Sequence, residues 1–152
     1  MVAAEPGKAP RTYILMMDGS APKAFGPESF TGTSASPDAK YVLGRKDEAW
    51  WLVSLAGDQA PQPLPFIHKD EVPSDWSSDS SSVYVSDVSG TPAKVYVVDI
   101  KTGQRRLHHE QAPGDLSGVA GTSSGRTTPD GNFYIYGVAR TLSYLYVVEG
   151  LK

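Results

Sequence analysis

The stretch TTPDGNFYIY, Thr127 to Tyr136, decides the fold, because the chain holds two blurred copies of it. They are SASPDAKYVL, Ser34 to Leu43, and WSSDSSSVYV, Trp76 to Val85. Each places an aspartate (Asp38, Asp79 or Asp130) one residue before a small residue, then runs into aromatic and β-branched residues. In the clearest copy Pro129 presets φ near −65°, Asp130 follows, and Gly131 accepts φ > 0. That combination ends one strand and starts the next within a few residues. Ala39 and Ser80 stand where Gly131 does, and Ser78 where Pro129 does, so the first two turns are expected to be weaker versions. What recurs is turn chemistry, which points to architecture rather than to a reaction.

A second apolar run follows each copy: AWWLVSL (Ala49 to Leu55), KVYVVDI (Lys94 to Ile100) and YLYVVEGL (Tyr144 to Leu151). A fourth, RTYILMMDG (Arg11 to Gly19), precedes the first copy. Aligning Tyr13, Trp51, Tyr96 and Tyr146 gives steps of 38, 45 and 50 residues. A period of roughly 40 to 50 residues, varied by loop insertions, fits one four-stranded propeller blade per repeat. The runs are rich in Val, Ile, Tyr and Trp, which suit a pleated surface, and several are apolar on both faces, as doubly buried strands are. No long helical pattern free of Gly and Pro is present.

The expectation is an all-β fold, a β-propeller fragment of about three and a half four-stranded blades forming a single partial domain over residues 1–152. A partial blade covers 1–28, with strands near Val2–Ala4, Thr12–Met17 and Lys23–Phe25. Further blades cover 29–68 and 72–112. The last, 118–152, lacks its outer strand and has strands near Val119–Ser123, Phe133–Val138 and Tyr144–Glu149. Tyr13, Trp51, Tyr96 and Tyr146 are expected to pack between blades. Propellers close as rings of roughly four to eight blades, so open faces and an unpaired edge remain. These predict self-association, most simply a homodimer across a twofold axis. A compact four-bladed ring closed by the first partial blade is the alternative.

Charge and composition narrow the partners. A net charge of −3 leaves no basic footprint for nucleic acid or an anionic membrane. Cysteine is absent, which excludes disulfides and thiolate metal sites. No apolar run approaches the roughly 20 residues that span a bilayer, so no membrane contact is expected of this segment. MVAAEPGKAP has neither the apolar core nor the cleavage pattern of a signal peptide. The 15 glycines and 12 prolines are scattered as punctuation between apolar runs, which argues for many short strands rather than disorder.

The SPD-aK-YV, WSsDs-s-VYV and TPDGn-YiY motifs resemble the WD40-like repeats of TolB-type propellers. TTPDGNFYIYGVARTLSYLYVVEGLK is similar to the C-terminus of bacterial proteins that join a eukaryotic-type serine/threonine kinase domain to a propeller, and AAEPGKAPRTY and DIKTGQRR fit that comparison. The resemblance implies that Lys152 is a natural chain end and that Met1 opens inside a larger propeller. It also implies an extracytoplasmic location, with kinase chemistry upstream. None of that chemistry is here: there is no Gly-rich phosphate loop, VAIK-like lysine, HRD or DFG.

Other constellations carry little chemistry, and no catalytic residue, cofactor or metal is expected. His108 and His109 are adjacent on a strand, so they should face opposite sides and fail to chelate one ion. No GxSxG elbow marks a hydrolase, and the serines from Ser77 to Ser82 sit at a repeat turn. Gly118, Gly121 and Gly125 match no phosphate-loop spacing and are read as relieving crowding in an innermost strand. Asp38, Asp79 and Asp130 would bind calcium only if they converged; spread along a rim, well apart, each is expected to cap its own turn. Trp50 and Trp51 should pack on opposite neighbours, with a carbohydrate-stacking platform as the alternative. Asn132, followed by Phe and Tyr, forms no glycosylation sequon. The expected function is a non-catalytic propeller module, a binding or sensing scaffold for a protein or small ligand, with the 110–118 loop (EQAPGDLSG) as a contributor. The alternatives are an accessory propeller portion of a hydrolase or peptidase whose catalytic domain lies elsewhere, and a purely structural fragment.

Overall fold

Each apolar run above, except the last, supplies a β-strand, and no helix forms among the described residues. The structure is a computed structural model and describes residues 1–4, 6–147 and 149–150. Through β11 the chain pairs each strand with a neighbour in sequence, giving antiparallel meanders. The first sheet holds β1 (Val2–Ala3), β2 (Arg11–Ile14) and β3 (Lys23–Phe25) in that order. The second holds β4 (Thr31–Ala35), β5 (Tyr41–Lys46), β6 (Ala49–Ser54) and β7 (Gln62–Pro63). The third holds β8 (Val72–Trp76), β9 (Ser82–Asp87), β10 (Ala93–Asp99) and β11 (Arg105–Gln111). Finally β12 (Val119–Thr122) pairs with β15 (Val138–Arg140), and β13 (Arg126–Thr127) with β14 (Tyr134–Ile135). The Ser123 N–H donates to Gly137 O at 3.0 Å between the two ladders, so these four form one interrupted hairpin.

Adjacent side chains of a strand point to opposite faces, and the tryptophan pair on β6 uses both. Trp50 joins Leu43, Leu52, Trp76, Val83, Val85 and Val98 in the core between the second and third sheets. Trp51 packs instead against Phe25, Phe30 and Val53, where the first sheet meets the second. Full burial of such side chains stabilises by about 1.5–3 kcal/mol each. The indole N–H groups sew the same seam: Trp76 donates to Ser34 Oγ at 3.1 Å and Trp50 to Glu71 O at 3.1 Å. Buried Glu71 is held by both guanidinium nitrogens of Arg105, at 2.8 and 3.0 Å, and by the His68 N–H at 2.9 Å. Burial opposes its ionisation, but these donors outweigh that cost and hold the carboxyl below its ordinary value.

Three expected strands differ. The expected Phe133–Val138 strand is broken at Tyr136 and Gly137 into β14 and the start of β15, because the Gly137 N–H turns to Ser123 Oγ at 3.0 Å instead of continuing one ladder. β2 ends at Ile14, not at Met17, and Leu15, Met16 and Met17 are exposed. The Asp18-Gly19 turn takes the backbone there, with the Gly19 N–H on Met16 O and the Ser20 N–H on Asp18 Oδ1. Tyr144–Val147 is not a strand, and its side chains stand in solvent. β6 and β10 each lie between two strands and against a neighbouring sheet, whereas Tyr144–Val147 has neither among the described residues. A lone strand buries too little to hold itself in water. Val148 and Leu151 of that run lie outside the described residues, as does Lys152 with the expectation of a chain end there. The 110–118 loop is shorter than expected, because Glu110 and Gln111 pair with Lys94 and Ala93 in the third sheet.

The three repeat turns share one hydrogen-bond pattern. In each, a hydroxyl residue opens the turn: Ser36, Ser77 or Thr128. Its hydroxyl donates to the aspartate two residues on and accepts the N–H five residues on, from Tyr41 (3.0 Å), Ser82 (3.0 Å) or Phe133 (3.1 Å). Its N–H reaches the carbonyl of that same residue at 2.9 Å each time. The residue after the aspartate sits in the left-handed region: Ala39 at φ 56°, Ser80 at 60° and Gly131 at 75°. The missing glycines therefore leave the geometry intact and add strain. Ala39→Gly should relieve about 1 kcal/mol of that strain and raise the urea midpoint. Ser80→Gly should gain almost nothing in the same assay, because it also removes the hydroxyl that accepts the Asp38 N–H at 3.1 Å.

Candidate functional site

Equivalent turns on successive blades of a propeller are expected to stand well apart, and these do not. Asp38 N–H donates to Ser80 Oγ at 3.1 Å, and Ser78 N–H donates to Pro129 O at 2.9 Å. Each turn therefore touches the next. The three carboxylates nonetheless remain separate, each filled by its own turn. Asp79 Oδ1 accepts from Ser77 Oγ at 2.6 Å and from the Ser81 N–H at 3.0 Å. Led by the Ser77 hydroxyl, these donors pull the Asp79 carboxyl down to about 2. Ser36 lowers Asp38 in the same way, and Thr128 lowers Asp130. Among the described residues no group of three or more His, Cys, Asp or Glu converges on a point where an ion would sit.

The densest cluster of chemistry-bearing side chains lies where the third sheet meets the C-terminal hairpin, and the adjacency argument for the histidines misplaced it. Val95 pairs with His109 but Tyr96 pairs with Leu107, leaving His108 as the extra residue of a β-bulge. A bulge re-aims side chains. Here it brings His108 Nδ1 within 2.6 Å of His109 Nδ1, so the two rings share a face instead of splitting between two. Gln111, fully buried, lies with its amide nitrogen 3.1 Å from His109 Nε2. With that amide donating, His109 carries its proton on Nδ1 and donates it to His108.

Tyrosines enclose the pair. Tyr134 of β14 stacks on His109 with centroids 3.8 Å apart, and Tyr84 of β9 meets His108 edge-on at 5.2 Å. Gly131 lies so close that a Cβ would stand 2.7 Å from Tyr84 Oη and 3.1 Å from His108 Nε2. Asp75 of β8 anchors the hairpin a little further along, accepting the Thr127 N–H at 2.9 Å and pairing with Arg126 at 2.8 Å. The glycine and the tyrosine that seat the hairpin thus come from the repeated motif itself.

The other singled-out residues fall elsewhere. Trp51 and Tyr96 pack against the two apolar clusters, Tyr13 is half-buried on β2, and Tyr146 is exposed rather than packed. Gly118 and Gly125 relieve crowding against their own hairpin partner, where a Cβ would meet the carbonyls of Thr141 and Ile135, while Gly121 borders open space. A recess of about 470 Å³ follows Ala120–Ser123 and Gly137–Ala139. Beside it, Arg140 pins the loop after β11 by donating to Asp115 O at 2.6 Å and Ser117 O at 3.4 Å.

No protein-family model and no curated protein matches this chain.

The histidine pair makes the seam sensitive to acid. Burial, and then the neighbouring His108, lowers the His109 pKa from its ordinary 6.5. Two protonated rings cannot hold their Nδ1 atoms at this separation. A base whose folded pKa is depressed contributes stability above its unfolded value and loses it as pH falls toward the folded one. The urea midpoint should therefore decline from about pH 6.5 to pH 5, ahead of carboxylate titration. His109→Phe keeps a ring to stack on Tyr134 but cannot titrate, and should flatten that decline.

Proposed function

We propose that the chain is a segment of a TolB-like β-propeller that acts as a non-catalytic scaffold for a protein or small ligand. The observation that carries this reading is the identical hydrogen-bonded turn after the first strand of two successive four-stranded meanders and again in the C-terminal hairpin. Sheets built alike and laid face against face in chain order are how a propeller is assembled. The turn serines and the paired histidines are engaged structurally. Ser36 and Ser77 are committed to their aspartates and turn amides, and the histidine pair is committed to itself, Gln111 and Tyr134.

In a propeller, loops at the mouth of the ring present ligands. The 112–118 loop is the contributor proposed here, because Arg140 fixes it beside the Ala120–Ser123 recess. The test has two arms. The purified chain should leave ester and peptide reporter substrates unturned and take no label from a fluorophosphonate probe. Backbone shifts on titration with a library of small polar ligands and peptides should cluster at 112–123. Labelling of one serine, abolished by His108→Ala or His109→Ala, would replace this reading with that of a hydrolase.

A further inference from the structure

The C-terminal hairpin is finished on one side only. β14 and β15 pair with β13 and β12, and their opposite edge has no strand among the described residues. Such an edge presents unpaired N–H and C=O groups that template another strand. Just beyond it lies YLYV, a strand-forming sequence that is not a strand. Tyr144 is 80% exposed, Leu145 93%, Tyr146 82% and Val147 80%. On the hairpin itself Phe133 and Ile135 alternate with Tyr134, which faces the histidines. They point to the opposite side, 72% and 70% exposed.

The area involved is large. The chain exposes 9767 Å² for a mass of 16.3 kDa, whereas a compact monomer of that mass exposes about 7,500 Å². The excess is more than twice the roughly 800 Å² that each partner contributes to a stable interface. Side chains of this size present on the order of 150 Å² each, so these residues account for a substantial share of it. Charge points to the kind of partner. From Phe133 to Val147 the only charged residue is Arg140, already held by Asp115 at 3.3 Å within the chain. The surface has nothing to recruit a charged ligand and nothing to repel its own likeness.

We propose that this surface is a homodimer interface. In each of two copies Tyr144–Val147 becomes a strand on the free β14–β15 edge of the other, with Phe133 and Ile135 buried beneath. A second copy fits because the open edge and the spare strand belong to one element. Two chains related by a twofold axis complete each other at once, and the association closes at two copies because each has then used both its open edge and its spare strand. This inference does not depend on the propeller reading, since it uses only the hairpin and its continuation.

Light scattering of the full chain between 10 and 500 μM should give about twice the mass of one chain. Leu145→Asp places a carboxylate in the apolar contact and should weaken the dimer roughly 100-fold. Far-UV circular dichroism of that variant checks that the sheets persist. The chain has no cysteine, so Ile135→Cys and Leu145→Cys can be installed on separate copies, mixed and bridged with a short bismaleimide. A 135-to-145 link between different chains is expected. A monomer at every concentration overturns the proposal. So does a 135-to-145 link formed within one chain when both cysteines share it, or a dimer that Leu145→Asp leaves unchanged.

Discussion

One hydroxyl group per repeat organises this chain. Ser36, Ser77 and Thr128 each bind the aspartate that follows and an amide at or just before the start of the next strand, so a single side chain both closes the turn and sets the register of the sheet. A hydrogen bond to a charged acceptor is stronger than an ordinary neutral one. The turn's donors keep each aspartate ionised to lower pH than a free carboxyl would be, and the ionised carboxylate is in turn the stronger acceptor for those donors. Left-handed strain at Ala39 and Ser80 is tolerated for that reason.

From these turns the rest of the assembly follows. They set the strands beside them, which then place Trp50, Trp76, Val83, Val85 and Val98 in one shared core. They also touch one another through Ser80 and Pro129, so the three turns are held in a row. The third turn carries Gly131 under Tyr84 and His108 and places Tyr134 on His109. The candidate site is thus a by-product of the repeat: the same motif that builds sheets also seats the last hairpin on them.

The all-β architecture was legible because aspartate turns and doubly apolar runs have local causes. Strand formation at β5, β6, β9 and β10 follows from β-branched and aromatic runs bounded by turns, and the opposite facing of Trp50 and Trp51 from period-two geometry. What local reasoning missed depends on partners. The bulge at His108 arises from the register of β10 against β11, which no spacing within RLHHEQ announces. Had the bulge been foreseen, the doubled histidine before a buried Gln111 would have marked the seam. Tyr144–Val147 reads as a strand from its composition and is not one, because a strand needs a paired neighbour and a face to bury, and this run has neither among the described residues. The expected extension of β2 through Leu15, Met16 and Met17 failed more simply, because the Asp18-Gly19 turn outweighed apolar continuity.

The claim that the turn hydroxyl and its aspartate sustain each other is tested most directly by carboxyl-detected titration of Asp79, in the natural chain and in Ser77→Ala. The account predicts a midpoint of about 2 in the natural chain, rising toward the ordinary 3.8 once the hydroxyl is gone. An Asp79 that already titrates at 3.8 with Ser77 in place, or one that ignores its removal, would contradict it.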